Sequence, residues 1–211
     1  MSRTPVVGVL ALQGDVREHL RVLTACGADV RAVRRPAELA GLDGIVLPGG
    51  ESTTIDKLSR IFELREPLIA ALDAGLPAYG SCAGMILLAK RVLDGTEDQQ
   101  TFAALDITVR RNAFGRQVES FEADVDLDGI PGGPIHAVFI RAPWVESIDN
   151  GVEILGAVVP PGAGGRRHDG DAMALEHQMR QPTLLQPVAH HEAGLAAADH
   201  QRFDFLIRHD G

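Results

Sequence analysis

Residues 80–84 read GSCAG, a cysteine between two glycines where an extended run, LPAYG (76–80), gives way to the helical pattern AGMILLAKRVL. Most free cysteines are small buried thiols. The spacing here argues for another role. In G-x-S-x-G turns the nucleophile occupies a tight strand-to-helix corner, and the residues two positions away must be small to avoid collision. GSCAG is that spacing with sulfur in place of oxygen. A helix starting near Ala83 brings its positive N-terminal end beside Cys82 and favours thiolate over thiol. Activation matters, because an unperturbed thiol with a pKa of about 8.5 is only a few per cent ionised at pH 7.

A thiolate attacking a carbonyl needs donors for the oxyanion and a base for the proton. LPGGES (47–52) ends another strand with two glycines before a helix begins. Backbone N–H groups of that turn, joined by the N–H of Ala83, suit an oxyanion hole, and glycine lets substrate approach closely. Taken alone, such a pair of glycines is just a turn. Among the chain's 8 histidines, one H-x-E spacing occurs, His190-His191-Glu192. Residues two apart on a strand face the same side, so His190 and Glu192 can touch each other and reach the sheet's active edge. By itself this segment reads as a polar surface turn.

The elements that must hold these groups alternate between strand and helix. VVGVLAL (6–12) is a continuous apolar run, as expected of a strand buried on both faces. In DVREHLRVLTACG, Val16, Leu20 and Leu23 recur at helical spacing, and Gly27 offers a stop. ADVRAV (28–33) and GIVLPGG (44–50) read as the next strands, with a helix from about Ser52 and another following Pro67, a favoured first-turn residue. LPAYG follows as a strand, and a helix is expected over AGMILLAKRVL. The repetition predicts an α/β fold, a mostly parallel sheet flanked by helices in a single domain. Beyond residue 110, ESFEADVDL (119–127), IHAVFIRAP (135–143) and GVEILGAVV (151–159) read as strands, and PPGAGGRRHDGD (160–171) as a loop. A last helix is expected in ADHQRFDFLIRH, with Phe203, Leu206 and Ile207 turned inward.

Bulk properties narrow the function. A chain of 211 residues, 45% hydrophobic, builds one core without disulfide or metal staples. A net charge of −9 repels phosphate backbones and argues against nucleic acid. Two cysteines make no disulfide framework and fit a reducing compartment. No apolar stretch approaches the length of a membrane span. The expectation is a cytoplasmic protein without a membrane partner.

Five stretches, GVLALQGDVREH (8–19), LPGGESTT (47–54), GSCAG, RRNAFGRQVESFEADV (110–125) and FIRAPWVE (139–146), resemble in order those of the class I triad glutamine amidotransferases. Within them, RNAFGRQ with FIRAP resembles the glutaminase subunits of pyridoxal 5′-phosphate synthase. The resemblance implies a flavodoxin-like sheet and hydrolysis of L-glutamine to L-glutamate and ammonia. The ammonia passes to a separate synthase subunit that makes pyridoxal 5′-phosphate. It implies Cys82 as nucleophile, His190 as general base and acid, and Glu192 as its orienting partner. Gly50, Glu51, Ser52, Arg111, Ile140 and Arg141 match positions that hold glutamine, and Gly50 with Ala83 forms the oxyanion hole. Two arginines and a glutamate suit the carboxylate and ammonium of an amino acid. Gln13, which as a residue simply satisfies a loop, matches a region facing the synthase partner. No metal or organic cofactor is implied.

One segment departs from the pattern. Ala189 and His191 stand where the family usually has phenylalanine and proline in F-H-P-E. Two further readings therefore accompany the active glutaminase. One is a catalytically impaired regulatory or assembly partner of the synthase. The other is a glutaminase serving a different biosynthetic synthase, against which RNAFGRQ and FIRAP argue.

Overall fold

The computed structural model describes residues 3–111, 121–140, 142–149 and 151–158, with the backbone of 175–176 and 206–207. Its first half follows the apolar pattern closely. Strand β1 (Val6–Leu10) is buried at four of five positions, and β3 (Gly44–Leu47) at three of four, as strands covered on both faces must be. Strand β2 (Asp29–Val33) alternates between exposed and covered residues, which suits its place at the sheet edge. Between β1 and β2, helix α1 (Val16–Ala25) turns a half-buried stripe of Val16, His19, Leu20 and Leu23 inward, and ends before Gly27, whose φ of +85° only glycine adopts easily.

Helices α2 (Ser52–Ile61) and α3 (Arg65–Asp73) lead to β4 (Ala78–Gly80), with Pro67 in the first turn of α3. The strands lie in the order β4-β3-β1-β2, all parallel. The order reverses between β1 and β3. Because parallel crossovers are right-handed, this reversal sends α1 to one face and α2–α3 to the other, and opens a crevice at the carboxyl ends of β1 and β3. Leu10, Leu47, Leu64, Leu68, Leu87 and Leu88 fill the core with no exposed surface. Each contributes roughly 1.5–3 kcal/mol relative to exposure.

Two expectations need correction. The helix expected over AGMILLAKRVL ends early: α4 spans Ala83–Leu88, and Ala89–Leu93 forms strand β5. Its six helical residues are all buried, leaving no solvent face for an amphipathic continuation. Strand β5 pairs in parallel with β6 (Leu105–Arg110) instead. Lys90 then reaches Asp106 at 2.8 Å, and Arg91 pairs with Asp149 and donates to Thr108 Oγ1 at 2.8 Å. Cross-strand partners outweigh the local helical preference.

The antiparallel pair β7 (Phe121–Val125) and β8 (Ile135–Phe139) stacks Phe121 on Phe139, and β9 (Trp144–Ile148) runs antiparallel to β6. Strand β10 (Ile154–Gly156) pairs with β11 (Leu175–Glu176). Near the C-terminus, Leu206–Ile207 is not helical as expected: it forms β12, antiparallel to β4 at Tyr79 and Ala78. Tyr79 and Ala78 are the open edge of β4, and an edge recruits a strand. The proposed loop 160–171, together with Phe203, lies outside the described residues.

Candidate active site

The GSCAG corner has the geometry its spacing predicts. Strand β4 ends at Gly80 and α4 begins at Ala83, so Ser81 and Cys82 alone make the turn. Cys82 holds φ 47° and ψ −100°, a conformation in which a non-glycine residue is strained. The flanking glycines make it possible. A Cβ on Gly80 would lie 2.7 Å from the carbonyl carbon of Gly84, and one on Gly84 would lie 2.0 Å from the carbonyl oxygen of Leu47. Cys82 is half-buried rather than sealed in the core, and forms no disulfide.

The glycine loop after β3 packs directly on this corner. A methyl at Gly49 would sit 3.7 Å from Cys82 Cβ and 3.0 Å from an Asp15 carboxylate oxygen. The loop is tied back to the exit of β1 twice. Asp15 N–H donates to the Gly49 carbonyl at 3.0 Å, and Glu51 N–H donates to Gln13 Oε1 at 2.8 Å. Gln13 thus satisfies the backbone of the glycine loop, as its residue type allowed. Gly50 lies exposed in the loop, and Ala83 is buried as the first residue of α4.

Glu51, Ser52 and Arg111 converge beside it. Arg111 leaves the end of β6, and Nη2 of its guanidinium donates to Glu51 Oε1 at 2.8 Å, while Thr53 O–H donates to the same oxygen at 2.7 Å. The Thr53 hydroxyl, with Arg111 adding to it, holds the Glu51 carboxyl below the usual range, so Glu51 is an anion at neutral pH. Only 12% of the Arg111 side chain is exposed, against 54% of Glu51. Arg111 is therefore no solvated surface charge. Ser52 opens α2 and is 2% exposed, with Glu51 as the cap residue whose side chain accepts from Thr53 N–H.

Ile140 sits half-buried just past β8. Arg141, His190 and Glu192 lie outside the described residues. Two polar residues that the sequence left unassigned take up positions at the site. Gln99 accepts from Arg111 Nη1 at 2.7 Å and donates to Ser52 Oγ at 3.0 Å. His19 Nε2 lies 3.4 Å from Ser81 Oγ, with its ring edge-on to Tyr79 at 6.1 Å. Burial pushes this imidazole below its ordinary range, against the opposing pull of Asp15 and Glu18. His19 was traceable as the i+3 partner of Val16 on the inward stripe; Gln99, inside the polar run TEDQQ, carried no signal.

The chain matches the model of the SNO glutamine amidotransferase family over residues 9–208. It is 60% identical over 206 residues to the pyridoxal 5′-phosphate synthase subunit PdxT of Acidothermus cellulolyticus, covering 98% of this chain and 94% of that relative. With the subunit of the same description from Salinispora arenicola it shares 64% identity over 162 residues, 77% of this chain and 81% of the relative. A crystal structure described as a glutamine amidotransferase superposes with a TM-score of 0.70 at 43% identity, covering 82% of this chain and 84% of that one. The structure of PurLQS from Thermotoga maritima, 14% identical with a TM-score of 0.52 over 83% of this chain and 88% of that one, shares the fold alone.

Proposed function

This chain belongs to the SNO glutamine amidotransferase family, and from that membership we propose that it is the glutaminase subunit of a pyridoxal 5′-phosphate synthase. It hydrolyses L-glutamine to L-glutamate and ammonia in the cytoplasm and hands the ammonia to a synthase subunit. A single glutamine amidotransferase domain does the chemistry, with sulfur, imidazole and backbone donors and with no metal or organic cofactor.

The steps follow from the residues. Cys82 thiolate attacks the side-chain amide carbon of glutamine and forms a C–S bond. The carbonyl oxygen becomes an oxyanion held by the N–H groups of Gly50 and Ala83. The His190 imidazolium, oriented by Glu192, gives its proton to the amide nitrogen; the C–N bond breaks and ammonia leaves. His190 then takes a proton from water, whose oxygen attacks the thioester. Glutamate departs as the C–S bond breaks, and the thiolate is restored. Glu51, Ser52, Arg111, Ile140 and Arg141 hold the substrate, the carboxylate on guanidinium and the ammonium on Glu51. Gln13, at the same crevice, lies on the face toward the synthase.

The observation that supports this reading most is the strained corner at Cys82, with the Gly49–Gly50 loop packed on it. The test is ammonia release from L-glutamine by the chain in complex with its synthase subunit. Cys82→Ala is expected to lower kcat on the order of 10³-fold or more, and His190→Ala comparably. Equal activity in wild type and Cys82→Ala would end the enzymatic reading. A wild-type complex that assembles yet releases no ammonia would point to an assembly partner instead.

A further inference from the structure

We propose that Gln99 is a positioning residue for glutamine binding: its amide locks Arg111 to Ser52 and fixes which way the Ser52 hydroxyl points. This rests on the reading of Glu51, Ser52 and Arg111 as the substrate's contacts. Those three residues come from two separate elements, the start of α2 and the end of β6. Gln99, on the connection between β5 and β6, joins them with the two ends of one amide, at 2.7 Å to Arg111 Nη1 and 3.0 Å to Ser52 Oγ.

The chemistry of the pair leaves one arrangement. Guanidinium has donors only, so the amide end facing Arg111 is the oxygen, and the end facing Ser52 is the NH₂. Ser52 Oγ therefore accepts, and its proton is turned away from Gln99. The hydroxyl is thus set as a donor for an oxygen of the substrate. Charge adds a second reason for an amide here. Arg111 already faces one carboxylate, Glu51, at 2.8 Å. A neutral acceptor on its other nitrogen leaves the cluster without excess negative charge to repel an incoming carboxylate.

The segment carrying Gln99 is anchored independently on both sides of it. Gln99 N–H donates to the Thr96 carbonyl at 3.0 Å, and Gln100 N–H donates to the buried Asp56 Oδ2 at 3.0 Å. Arg65 Nη2 donates to the Thr101 carbonyl at 2.8 Å, and Phe102 is 3% exposed. The amide is delivered from a fixed backbone, as a preorganised contact requires.

Gln99→Glu separates positioning from scaffolding. The shape and the acceptor for Arg111 remain, so a merely structural role survives. Ser52 now donates to the introduced carboxylate, which reverses its hydroxyl, and Arg111 faces a second negative charge. The experiment measures KM and kcat for glutamine and the melting temperature, with the synthase subunit present, for wild type, Gln99→Glu, Gln99→Leu and Arg111→Gln. The expected result is KM raised about 10-fold or more in both Gln99 variants: Gln99→Leu loses the hydrogen bond to the Arg111 guanidinium, and Gln99→Glu reverses the Ser52 hydroxyl. The Glu variant is the worse of the two despite melting at or above wild type, and kcat stays within about 3-fold. A Gln99→Glu complex with wild-type KM, or with a KM below that of Gln99→Leu, overturns the inference, as does a fall in kcat at unchanged KM. If Arg111→Gln raises KM while both Gln99 variants do not, only the role of Gln99 fails. If Arg111→Gln also leaves KM unchanged, the substrate-site reading falls with it.

Discussion

Gly84 and Leu47, on neighbouring segments of the core, approach so closely that a methyl group on Gly84 would lie 2.0 Å from the Leu47 carbonyl oxygen. The contact sets α4 directly over the end of β3, and so sets Cys82 against the glycine loop that follows β3. The clash partner is backbone, which has no rotamer to escape into. A strained corner persists only where its surroundings over-determine it, and this contact is part of that surrounding.

Gly84→Ala is therefore expected to destabilise the chain by at least about 3 kcal/mol, the upper part of the range for overpacked cores. Chemical denaturation measures the loss. Any protein that does fold should show slowed alkylation of Cys82 by iodoacetamide, because the helix must move to admit the methyl. An Ala variant with wild-type stability would mean that α4 is not seated as described.

Asp56 tests the anchor beneath the β5–β6 connection. Its carboxylate is fully buried, with Oδ2 accepting from Arg60 at 2.9 Å and from Gln100 N–H at 3.0 Å. Its Oδ1 has no hydrogen-bond partner among the described residues. Asp56→Ala strips the partner from a backbone donor and a guanidinium together, an expected cost of about 3 kcal/mol. Asp56→Asn keeps an acceptor for Gln100 and should cost clearly less. Urea midpoints of the two variants check the order.

Arg111→Lys asks whether the flat fork matters or only the charge. The guanidinium serves Glu51 and Gln99 at once through two different nitrogens. Ammonium on a flexible stem cannot span both acceptors in that fixed geometry. KM for glutamine should rise about 10-fold, with kcat little changed, in steady-state ammonia release. A Lys variant indistinguishable from wild type would reduce Arg111 to a point charge.

The chain announced what local sterics and two-sided burial dictate. β1 and β3 were legible as unbroken apolar runs, and the Cys82 corner as a spacing, because both constraints act within a few residues. Ala89–Leu93 carries a helical pattern locally, because its strand character comes from Asp106, Thr108 and Asp149, far along the chain. Gln99 was invisible for the same reason: a polar loop residue acquires a role only when Arg111 and Ser52 arrive from elsewhere. The parallel sheet followed from the alternation of strand and helix, whereas its order, β4-β3-β1-β2, and the antiparallel β12 depended on contacts that no local pattern encodes.

Two histidines should tilt stability in opposite directions with pH. His19 is depressed from the ordinary 6.5, chiefly by burial, while Asp15 and Glu18 pull it up. Its contribution is intact above the unfolded value and is lost as pH falls through the folded one. His136 is raised from the same 6.5 by Asp124 first and Glu122 second, at 2.9 Å and 3.2 Å. Its contribution is present below the unfolded value and disappears as pH rises through the folded one. Acidification from pH 8 to pH 5 therefore destabilises through His19 and stabilises through His136. Melting temperatures across that window should show a smaller acid loss for His19→Gln than for wild type, and a larger one for His136→Gln. Should both variants shift the profile the same way, one imidazole is not in the surroundings described. A flat His19→Gln difference would place that ring in water rather than against Ser81 and Tyr79, and α1 would then turn a different stripe toward the sheet.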